Sequence, residues 1–328
     1  MRLATFTTPD VLTPRVGVID DDETVLAFPD GLSMRDVVAE GIEAAARLAA
    51  AARGREPARP LTSVRLLAPL QPASVRDYVA FEEHVDGVRR SVDGSAGVPD
   101  AWYDAPTFYF TNPHTILAPG ADVPFPAACL ARDFELEVAV VVGAPGTSLS
   151  VDEARDHVFG YTIMNDWSAR DLQSREMQVR LGPAKGKDFA ITLGPWIVTA
   201  DELDQRRDTD GFLDLWCTAE VNGVEVGRDL LSNAGWTFEA MIAYASRDSR
   251  VESGDVLGSG TVGHGGCLAE LWGRNGSQTP PPLQPGDLVT LTVEGIGSVS
   301  NRVAVADPAP PVAAVRRRDP AAARQVLR

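Results

Sequence analysis

The feature that most constrains this chain is a succession of short, apolar, β-branched segments between residues 64 and 304. Turn-forming sequences such as "APG", "NG" and "QPGD" separate these segments, which is typical of strands. Because they do not alternate regularly with helices, the sequence disfavours a doubly wound sheet and predicts an α+β, mostly β fold. The predicted strands are 64–68, 107–117, 134–142, 160–164, 190–198, 212–221, 268–272 and 288–304.

The N-terminal part of the chain has a different pattern. Its predicted strands are 2–6, 15–19 and 24–28. Ser33 then begins a helix that extends to about Arg53, and Asp36 completes a capping-box-like start. The sequence "GREPARP" follows as a linker, so a small β-plus-helix domain is predicted before the main one.

Three regions are therefore predicted: a small N-terminal domain at 1–65, a large domain at 66–305 and a tail at 306–328. The tail is rich in Pro, Ala and Arg, and a loosely ordered extension is the favoured interpretation. Helices are predicted from Ser150, with Glu153 as its capping partner, over about 166–178 and over about 230–246.

Composition excludes several classes of function. The net charge of −16 disfavours nucleic-acid binding, because an acidic surface repels phosphates. The sequence contains no run of 18 apolar residues, so no membrane span is predicted. The first 15 residues do not resemble a secretory signal. The three cysteines are sparse and far apart, which argues against a disulfide framework and predicts a reducing cytoplasm.

The segment "DFELEVAVVVG", residues 133–143, places two acids at the edge of a predicted core strand. Side chains two residues apart on a strand share a face, so Glu135 and Glu137 project together. Two carboxylates this close repel each other, and burial increases the repulsion. The pair therefore requires a partner that compensates its charge.

The segment "NDWSARDLQSREM", residues 165–177, carries further polar groups. We predict Asp166 as the N-cap of a helix. Spacing then places Asp166, Arg170, Gln173 and Met177 on one helical face. A solvated face is the usual explanation of such a pattern, but here it follows the apolar strand "VFGYTIMN".

Other candidates are weaker on their own. In "RDYVAFEEHVDG" a helix would bring Asp77 and His84 to one side, although most such histidines lie on the surface. Lys187 lies in a glycine-flanked loop, where an ordinary exposed lysine is the simplest interpretation. The acids Asp77, Glu135, Glu137 and Asp166 together form an all-oxygen set that suits a hard cation such as Mg²⁺ or Ca²⁺.

The glycine-rich segment 254–273 permits close approach of the backbone to a ligand and lacks the pattern of a phosphate loop. Thr261 lies in this loop, and Glu270 lies in "LAELW", which is predicted to be a strand where a buried acid needs a partner. His264 and Cys267 have a zinc-like spacing, but the sequence contains no second pair, so a zinc site is disfavoured.

Five blocks, in order, resemble the fumarylacetoacetate hydrolase family: "DYVAFEEH", "FELEVAVVVG", "NDWSARDLQ", "GPAKGKDF" and "GSGT…LAEL". The resemblance covers about residues 64–304. It implies a mixed β-roll catalytic domain behind a small N-terminal domain, a homodimer, and hydrolysis of a carbon–carbon bond in a 1,3-diketo acid. It also implies a divalent metal, with Mg²⁺ expected and Ca²⁺ or Mn²⁺ as alternatives.

The resemblance assigns a role to each candidate residue. It implies metal ligands at Asp77, Glu135, Glu137 and Asp166. His84 would be the general base and Glu270 its acid partner. Arg170, Gln173 and Lys187 would surround the oxygen that becomes negative, and Tyr109 in "APTFYFTNP" and Thr261 would contact the substrate.

The substrate shell departs from the family pattern. Val79 and Met177 occupy positions where tyrosines are expected, and the expected arginine has only Arg89 and Arg90 as candidates. Three interpretations follow: a hydrolase, a decarboxylase or isomerase of a related oxo-acid, or a ligand-binding relative without chemistry. The presence of both His84 and Glu270 favours hydrolysis, because among these reactions only hydrolysis needs an activated water. The polar loop around 86–106 is a candidate lid.

Overall fold

The computed structural model describes residues 1–21, 23–55, 57–92 and 94–317. One residue of the predicted linker, residue 56, and one of the predicted lid, residue 93, lie outside this description. So do residue 22 and the part of the predicted tail at 318–328. The part of the tail at 306–317 contains no helix or strand.

Strands dominate the described residues, as the sequence predicts. The strands are β1 (Arg2–Thr8), β2 (Val11–Asp20), β3 (Thr24–Ala27), β4 (Arg59–Pro60), β5 (Arg65–Leu66), β6 (Val75–Tyr78), β7 (Phe108–Thr111), β8 (Ile116–Leu117), β9 (Asp122–Phe125), β10 (Arg132–Asp133), β11 (Leu136–Val142), β12 (Val158–Asp166), β13 (Ser168–Ala169), β14 (Ile191–Thr199), β15 (Trp216–Val221), β16 (Val224–Leu230), β17 (Val256–Gly258), β18 (Leu288–Val293) and β19 (Gly297–Val305). The helices are α1 (Met34–Glu40), α2 (Ile42–Arg53), α3 (Glu82–Val92), α4 (Val151–Arg155), α5 (Arg170–Met177), α6 (Ala200–Leu203), α7 (Phe238–Ser246) and α8 (Leu268–Asn275). None of these helices, within the described ranges, is long and apolar enough to cross a bilayer.

The strands form two main sheets. The larger has the order β4-β3-β2-β1-β14-β12-β11-β17-β6-β7, with β5 paired to β1 and β8 paired to β14. The smaller has the order β16-β15-β18-β19-β9, and β10 pairs with β13. Most pairs are antiparallel, but β6 runs parallel to β17, so the larger sheet is mixed. This arrangement brings β12, β11, β17 and β6 side by side and aligns the acids of three separate segments.

The larger sheet crosses the predicted domain boundary near residue 65. Strand β1 pairs with β14 antiparallel, with Arg2 opposite Val198. One apolar cluster also contains N-terminal residues such as Leu3 together with Val141 of β11. The N-terminal strands are thus hydrogen-bonded directly to the strands that lead to the site, and the division into domains stays a prediction.

Two predicted helix starts form as expected, and one predicted helix is broken. Ser33 accepts from the Asp36 amide and Ser150 from the Glu153 amide, and each acid accepts in return from its serine's backbone. The helix predicted over 33–53 is two helices, α1 and α2. Gly41 separates them with a φ of 85°, a conformation that glycine adopts without steric cost.

Tertiary pairing overrides other predictions. The helix predicted from residue 166 begins only at Arg170, because Asp166 pairs with Ile191 of β14 and Asn165 pairs with Leu136 of β11. The chain therefore stays extended through Asp166. The predicted helix 230–246 forms only as α7, after a short 3₁₀ turn at Leu231–Asn233.

Two further predictions around the candidate site are wrong. The predicted strand 268–272 is the start of α8, whose first turn is capped by Cys267 Sγ, 3.4 Å from the amide nitrogen of Glu270. Asp77 and His84 also do not share a helix. Asp77 lies in β6, where it pairs with Tyr109 of β7, and His84 lies in α3.

Candidate active site

Three carboxylates converge where β11 and β6 flank β17. Asp77, Glu135 and Glu137 are buried, and one oxygen of each lies within 4.8 Å of the others. Gly258 of β17 leaves room for them, since a Cβ there would lie 2.6 Å from Glu137 Oε2 and 3.0 Å from Asp77 Oδ1. The predicted convergence of Glu135 and Glu137 is therefore present, with Asp77 beside them.

The carboxylates leave buried oxygens unpaired. Among the described residues, Asp77 Oδ1, Glu137 Oε1 and Asp166 Oδ1 have no hydrogen-bond partner. Burial raises the pKa of Asp77, Glu137 and Asp166 above their ordinary values, and neighbouring carboxylates raise these pKa values further. Unpaired oxygens and an oxygen-only donor set fit a hard divalent cation.

Lys187 and Arg170 bring positive charge to the same place. Lys187 is only 3% exposed, so the simple interpretation as an exposed lysine is wrong. Its Nζ contacts Glu135 Oε2 and lies 2.6 Å from Asp166 Oδ2. Arg170 Nη2 lies 2.7 Å from Glu135 Oε1. Burial alone would raise the pKa of Glu135, but Lys187 and Arg170 outweigh it and hold the pKa well below its ordinary value.

The buried charges do not balance. Two cations face five carboxylates, so three negative charges would be uncompensated if every acid were ionised. A divalent ion would reduce this excess to one, which again fits the donor set. The carboxylates are Asp77, Asp133, Glu135, Glu137 and Asp166, and the cations are Arg170 and Lys187.

Three further predicted residues lie around the same cluster. Gln173 Oε1 accepts from Arg170 Nη1 at 3.1 Å, which turns the Gln173 amide nitrogen away from Arg170. The Tyr109 hydroxyl donates to Asp166 Oδ2. Thr261 is buried, and its Oγ1 has no partner among the described residues. The structure thus gathers the predicted polar groups at one position.

His84 lies at the edge of the acid cluster, on α3. Its Nε2 lies 3.9 Å from Glu135 Oε1, and its Nδ1 lies 3.6 Å from Cys267 Sγ. Burial lowers the pKa of His84 to about 4, although Glu135 opposes this shift. The environment of the imidazole therefore favours its neutral form.

Glu270 lies on α8, which packs closely on α3, the helix that carries His84. Gly87 makes this possible, since a Cβ there would lie 2.5 Å from Glu270 Cγ. Burial raises the pKa of Glu270 to about 7, while Arg274, whose Nη1 lies 3.3 Å from Glu270 Oε1, lowers it. Within the described part of the chain, neither carboxylate oxygen of Glu270 has a hydrogen-bond partner, so the dyad of His84 and Glu270 stays a prediction.

His264 and Cys267, whose spacing in the sequence resembles that of zinc ligands, do not lie together. His264 is 47% exposed at its side chain and its Nδ1 lies 3.2 Å from Asp229 Oδ2. Cys267 instead adjoins His84, and these two with Glu135 form a second buried group whose ligand atoms lie within 4.8 Å. The spacing of His264 and Cys267 in the sequence is therefore coincidental.

Comparison with known proteins identifies the family. Residues 73–304 match the family model described as fumarylacetoacetate (FAA) hydrolase, C-terminal. The chain belongs to the fumarylacetoacetate hydrolase family. Over 286 residues it is 31% identical to a fumarylacetoacetase of Arabidopsis thaliana, a match that covers 71% of this chain and 67% of that enzyme. The chain thus spans about two thirds of that relative's length.

Two further members of the family extend the comparison. An oxaloacetate tautomerase of Bacillus subtilis is 29% identical over 245 residues, covering 74% of each protein. The solved fumarylacetoacetate hydrolase of Exiguobacterium antarcticum has a TM-score of 0.70 at 26% identity, covering 93% of this chain and 99% of that one. The mostly β, α+β fold of the family is therefore confirmed, and the family contains both hydrolases and isomerising enzymes.

The residues that depart from the family pattern lie on different elements: Val79 follows β6, Arg89 and Arg90 are in α3, and Met177 ends α5. Val79 lies just after β6, where its carbonyl accepts from Trp102 Nε1 at 2.6 Å. Arg89 donates to the Gly97 carbonyl, and Arg90 pairs with Asp86 at 2.8 Å. Met177, at the end of α5, is 40% exposed. Both candidate arginines are thus engaged with the chain itself.

One residue of the site was missed by the sequence reasoning. Asp133 is fully buried and accepts from the amides of Leu268 and Ala269 at 2.8 and 3.0 Å, and from Arg170 Nε at 2.9 Å. It therefore fixes the first turn of α8, which carries Glu270. A signal existed, because Asp133 is two residues before Glu135 and strand alternation places both on one face.

Proposed function

We propose that this chain is a metal-dependent hydrolase that cleaves a carbon–carbon bond in a 1,3-diketo acid of the fumarylacetoacetate or acylpyruvate type. The observation that carries the proposal is the buried imidazole of His84, whose Nε2 lies 3.9 Å from Glu135 Oε1, beside an oxygen-only acid cluster with cations of its own. Membership of a family that includes fumarylacetoacetases supports it.

The ion would be held by Asp77, Glu135, Glu137 and Asp166. When bound, a divalent cation supplies Lewis-acid stabilisation of the negative charge that develops on the oxygens of a dioxo acid. Mg²⁺ is the proposed native ion, with Mn²⁺ and Ca²⁺ as alternatives for an oxygen-only set.

In this proposal His84 takes a proton from water, and the resulting hydroxide adds to the acyl carbonyl carbon. Burial favours the neutral imidazole, which is the form that can accept a proton. The Glu270 carboxylate would stabilise the imidazolium that forms. The bond between the acyl carbon and its neighbour then breaks, its electron pair goes to the enolate, and His84 returns the proton to carbon.

The remaining polar groups would bind and orient the substrate. Lys187 uses two N–H groups on Glu135 and Asp166, which leaves one for a substrate oxygen. Because Arg170 fixes the Gln173 carbonyl, the Gln173 amide nitrogen is free to donate. Removing one such donor typically lowers the rate by ~10²–10³. Tyr109 and Thr261 are proposed as substrate contacts.

Hydrolysis in H₂¹⁸O tests the proposal. With Mg²⁺ and an acylpyruvate, one ¹⁸O atom should appear in the carboxylate of the released acid, measured by mass spectrometry. His84→Ala and Glu270→Gln should each lower turnover by ~10²-fold or more while circular dichroism stays unchanged. Near wild-type turnover in both variants would refute these two roles.

The second candidate is an isomerase, tautomerase or decarboxylase of a related oxo-acid. The specific observation in its favour is that His84 and Glu270, among the described residues, are not hydrogen-bonded, and those reactions need no activated water. The similarity to an oxaloacetate tautomerase points the same way. Product formation without ¹⁸O in a new carboxylate would favour this candidate. Stabilisation by an acylpyruvate without any turnover would favour a ligand-binding protein.

The assembly and location of the protein are also proposals. The family resemblance implies a homodimer, which for a 35.0 kDa chain would sediment at about twice that mass. The three buried free thiols are compatible with the predicted cytoplasmic location. Analytical ultracentrifugation and cell fractionation test the two predictions separately.

A further inference from the structure

A second group of ligating side chains, different in chemistry from the acid cluster, lies next to it. His84, Cys267 and Glu135 are buried, and one ligand atom of each lies within 4.8 Å of the others. Among the described residues Cys267 is the one cysteine in such a group, and the proposed mechanism does not use its thiol. The set combines a nitrogen, a sulfur and an oxygen, whereas the acid cluster offers oxygen alone. The two neighbouring groups therefore suit ions of different kinds.

The separation of the two softer ligands matches the geometry of a zinc site. Cys267 Sγ lies 3.6 Å from His84 Nδ1. In a tetrahedral site with a Zn–N bond of ~2.0 Å and a Zn–S bond of ~2.3 Å, the nitrogen and the sulfur are ~3.5 Å apart. A Zn²⁺ ion bound by both atoms would therefore leave their separation almost unchanged.

The packing of α3 on α8 holds these two ligands in place. Cys267 Sγ caps the first turn of α8 and accepts from the amide of Glu270 at 3.4 Å. The helices approach closely at Gly273, where a Cβ would lie 1.8 Å from the Gly87 carbonyl oxygen. Because the ligands are already positioned, an ion that binds them has little ordering of side chains to bring about.

Glu135 offers the third ligand and shares its carboxylate with two cations. Its Oε1 lies 3.9 Å from His84 Nε2 and 2.7 Å from Arg170 Nη2, and its Oε2 contacts Lys187. An ionised carboxylate has about four lone pairs, so the contacts with Arg170 and Lys187 leave others for an ion. A movement of roughly 1 Å would bring a Glu135 oxygen to the distance that zinc requires.

The charge of the surrounding cluster also favours a second ion. With every acid ionised and one divalent ion in the acid cluster, one buried negative charge stays uncompensated. The Cys267 thiol gives up its proton to solvent when it binds zinc. Zn²⁺ together with this thiolate adds one net positive charge, which cancels the excess.

We propose that His84, Cys267 and Glu135 form a site for a borderline-soft divalent cation of the Zn²⁺ class, separate from the oxygen-only site for Mg²⁺. Occupation of this site inhibits the enzyme. A neutral imidazole has one unprotonated nitrogen, so an ion on Nδ1 leaves the proton on Nε2, which then cannot take a proton from water. The inhibition rests on the proposed function, whereas the binding site does not. His84 also lines a cavity of about 310 Å³, which gives the ion access to the imidazole.

Cobalt spectroscopy tests the site without any turnover. With Mg²⁺ in excess and a phosphine reductant to keep the thiols reduced, Co²⁺ should produce the near-ultraviolet charge-transfer band of a thiolate–cobalt bond. Excess Zn²⁺ should remove the band by displacing Co²⁺. Absence of the band, or a band of equal intensity in Cys267→Ser, would overturn the site.

Variants locate the ion. Cys267→Ser keeps the helix cap, because serine is a preferred N-cap residue, and it should lose the band. If Cys267→Ser does not fold, Cys267→Gly takes its place, since glycine also suits this position. Cys217→Ser is the matched control, because Cys217 is a buried free cysteine in β15, outside the group, and it should keep the band. Asp77→Asn should keep the band as well, and a band lost only in Asp77→Asn would place Co²⁺ in the acid cluster and contradict the proposal.

Inhibition by zinc separates this inference from the proposed function. With saturating Mg²⁺ and an acylpyruvate, Cys267→Ser should need at least ~10-fold more Zn²⁺ than wild type for half inhibition, because removing even a residue that only supports a ligand typically weakens metal binding by ~10-fold or more. Equal inhibition of both proteins would refute the inhibitory role. A band that depends on Cys267, without hydrolysis of any acylpyruvate, would refute the hydrolase and keep the site. Hydrolysis without the band would keep the hydrolase and refute the site.

Discussion

Two neighbouring residues of β6, Arg76 and Asp77, show how differently this protein treats buried charge on the two sides of one strand. Arg76 has a matched partner: its Nη1 lies 3.0 Å from Asp255 Oδ2 and 3.0 Å from Ser74 Oγ, and Ser74 donates to the other Asp255 oxygen at 2.8 Å. Asp77, one residue on, faces other carboxylates and leaves Oδ1 unpaired.

The difference distinguishes a structural charge from a functional one. In a one-to-one pair such as Arg76 and Asp255 the two charges compensate each other, so the pair belongs to the fold and leaves no uncompensated charge for a ligand. An excess of buried acids is unfavourable in the protein alone and becomes favourable when a cation binds. Charge balance within a buried cluster therefore supports the proposed ion site at Asp77 independently of any family resemblance.

The largest effect is expected at Asp77. Asp77→Asn should lower turnover by ~10³-fold or more, because the ion contributes several kcal/mol to the transition state. The free energy of unfolding of the ion-free protein should not fall, because a carboxylate with a raised pKa is replaced by a neutral amide. Turnover assays and chemical denaturation measure these two quantities, and calorimetric titration should show weakened binding of Mn²⁺.

Asp122→Asn is the matched control for this prediction, since Asp122 is exposed on β9. It should bind Mn²⁺ as the wild type does. If Asp77→Asn bound Mn²⁺ with wild-type affinity, Asp77 would not be a ligand of the ion. The proposed difference between Asp77 and Arg76 would then be wrong.

The opposite result is expected at Asp255. Asp255→Asn leaves the Arg76 guanidinium buried without a counter-charge, so the free energy of unfolding should fall by about 3 kcal/mol. Ion affinity of the folded protein should change by no more than a few-fold. The double variant Arg76→Met/Asp255→Leu should recover most of the loss, as measured by urea denaturation. A stable Asp255→Asn with weakened Mn²⁺ binding would contradict the division into two sides.

Ion binding itself should stabilise the protein. At a concentration 100 times the Kd, Mg²⁺ should raise the free energy of unfolding by about 2.7 kcal/mol, because it binds only the folded state. Asp255→Asn should keep this gain and Asp77→Asn should lose it, with EDTA as the reversal control. Thermal denaturation with and without Mg²⁺ gives the result, and an equal gain in both variants would show that Mg²⁺ binds elsewhere.

The sequence predicted correctly those features that depend only on residues a few positions apart, such as helix caps and shared strand faces. The capping boxes at Ser33 and Ser150 form because each needs only a serine and an acid three residues later. The shared face of Glu135 and Glu137 follows from strand alternation alone. Such features are set within a few residues, so one sequence is enough to predict them.

Features that depend on distant partners could not be predicted in this way. Asp166 stays in a strand because Ile191 pairs with it, and Glu270 lies in a helix whose first turn is capped by Asp133. Lys187 is buried by acids from two other segments. The role of Gly258 depends on Glu137 and Asp77 meeting across β17, which only the sheet order reveals.

Glu270 provides the finest test of the comparison, since it is a buried acid with one partly exposed cation, Arg274, and so lies between the two cases. Its pKa is raised by burial from an ordinary 4.5 to about 7, so the folded state holds its proton more tightly than the unfolded state does. This preference stabilises the fold fully below pH 4.5 and is lost as the pH rises to about 7. Glu270→Gln does not titrate, so its stability relative to wild type should increase by the order of 2 kcal/mol across that interval and stay constant above it.

Urea denaturation from pH 4.5 to 8, with the exposed Glu225→Gln as control, measures the difference. Parallel stability curves for Glu270→Gln and wild type would mean that Arg274 compensates Glu270 as completely as Asp255 compensates Arg76, and Glu270 would then belong with the structural charges.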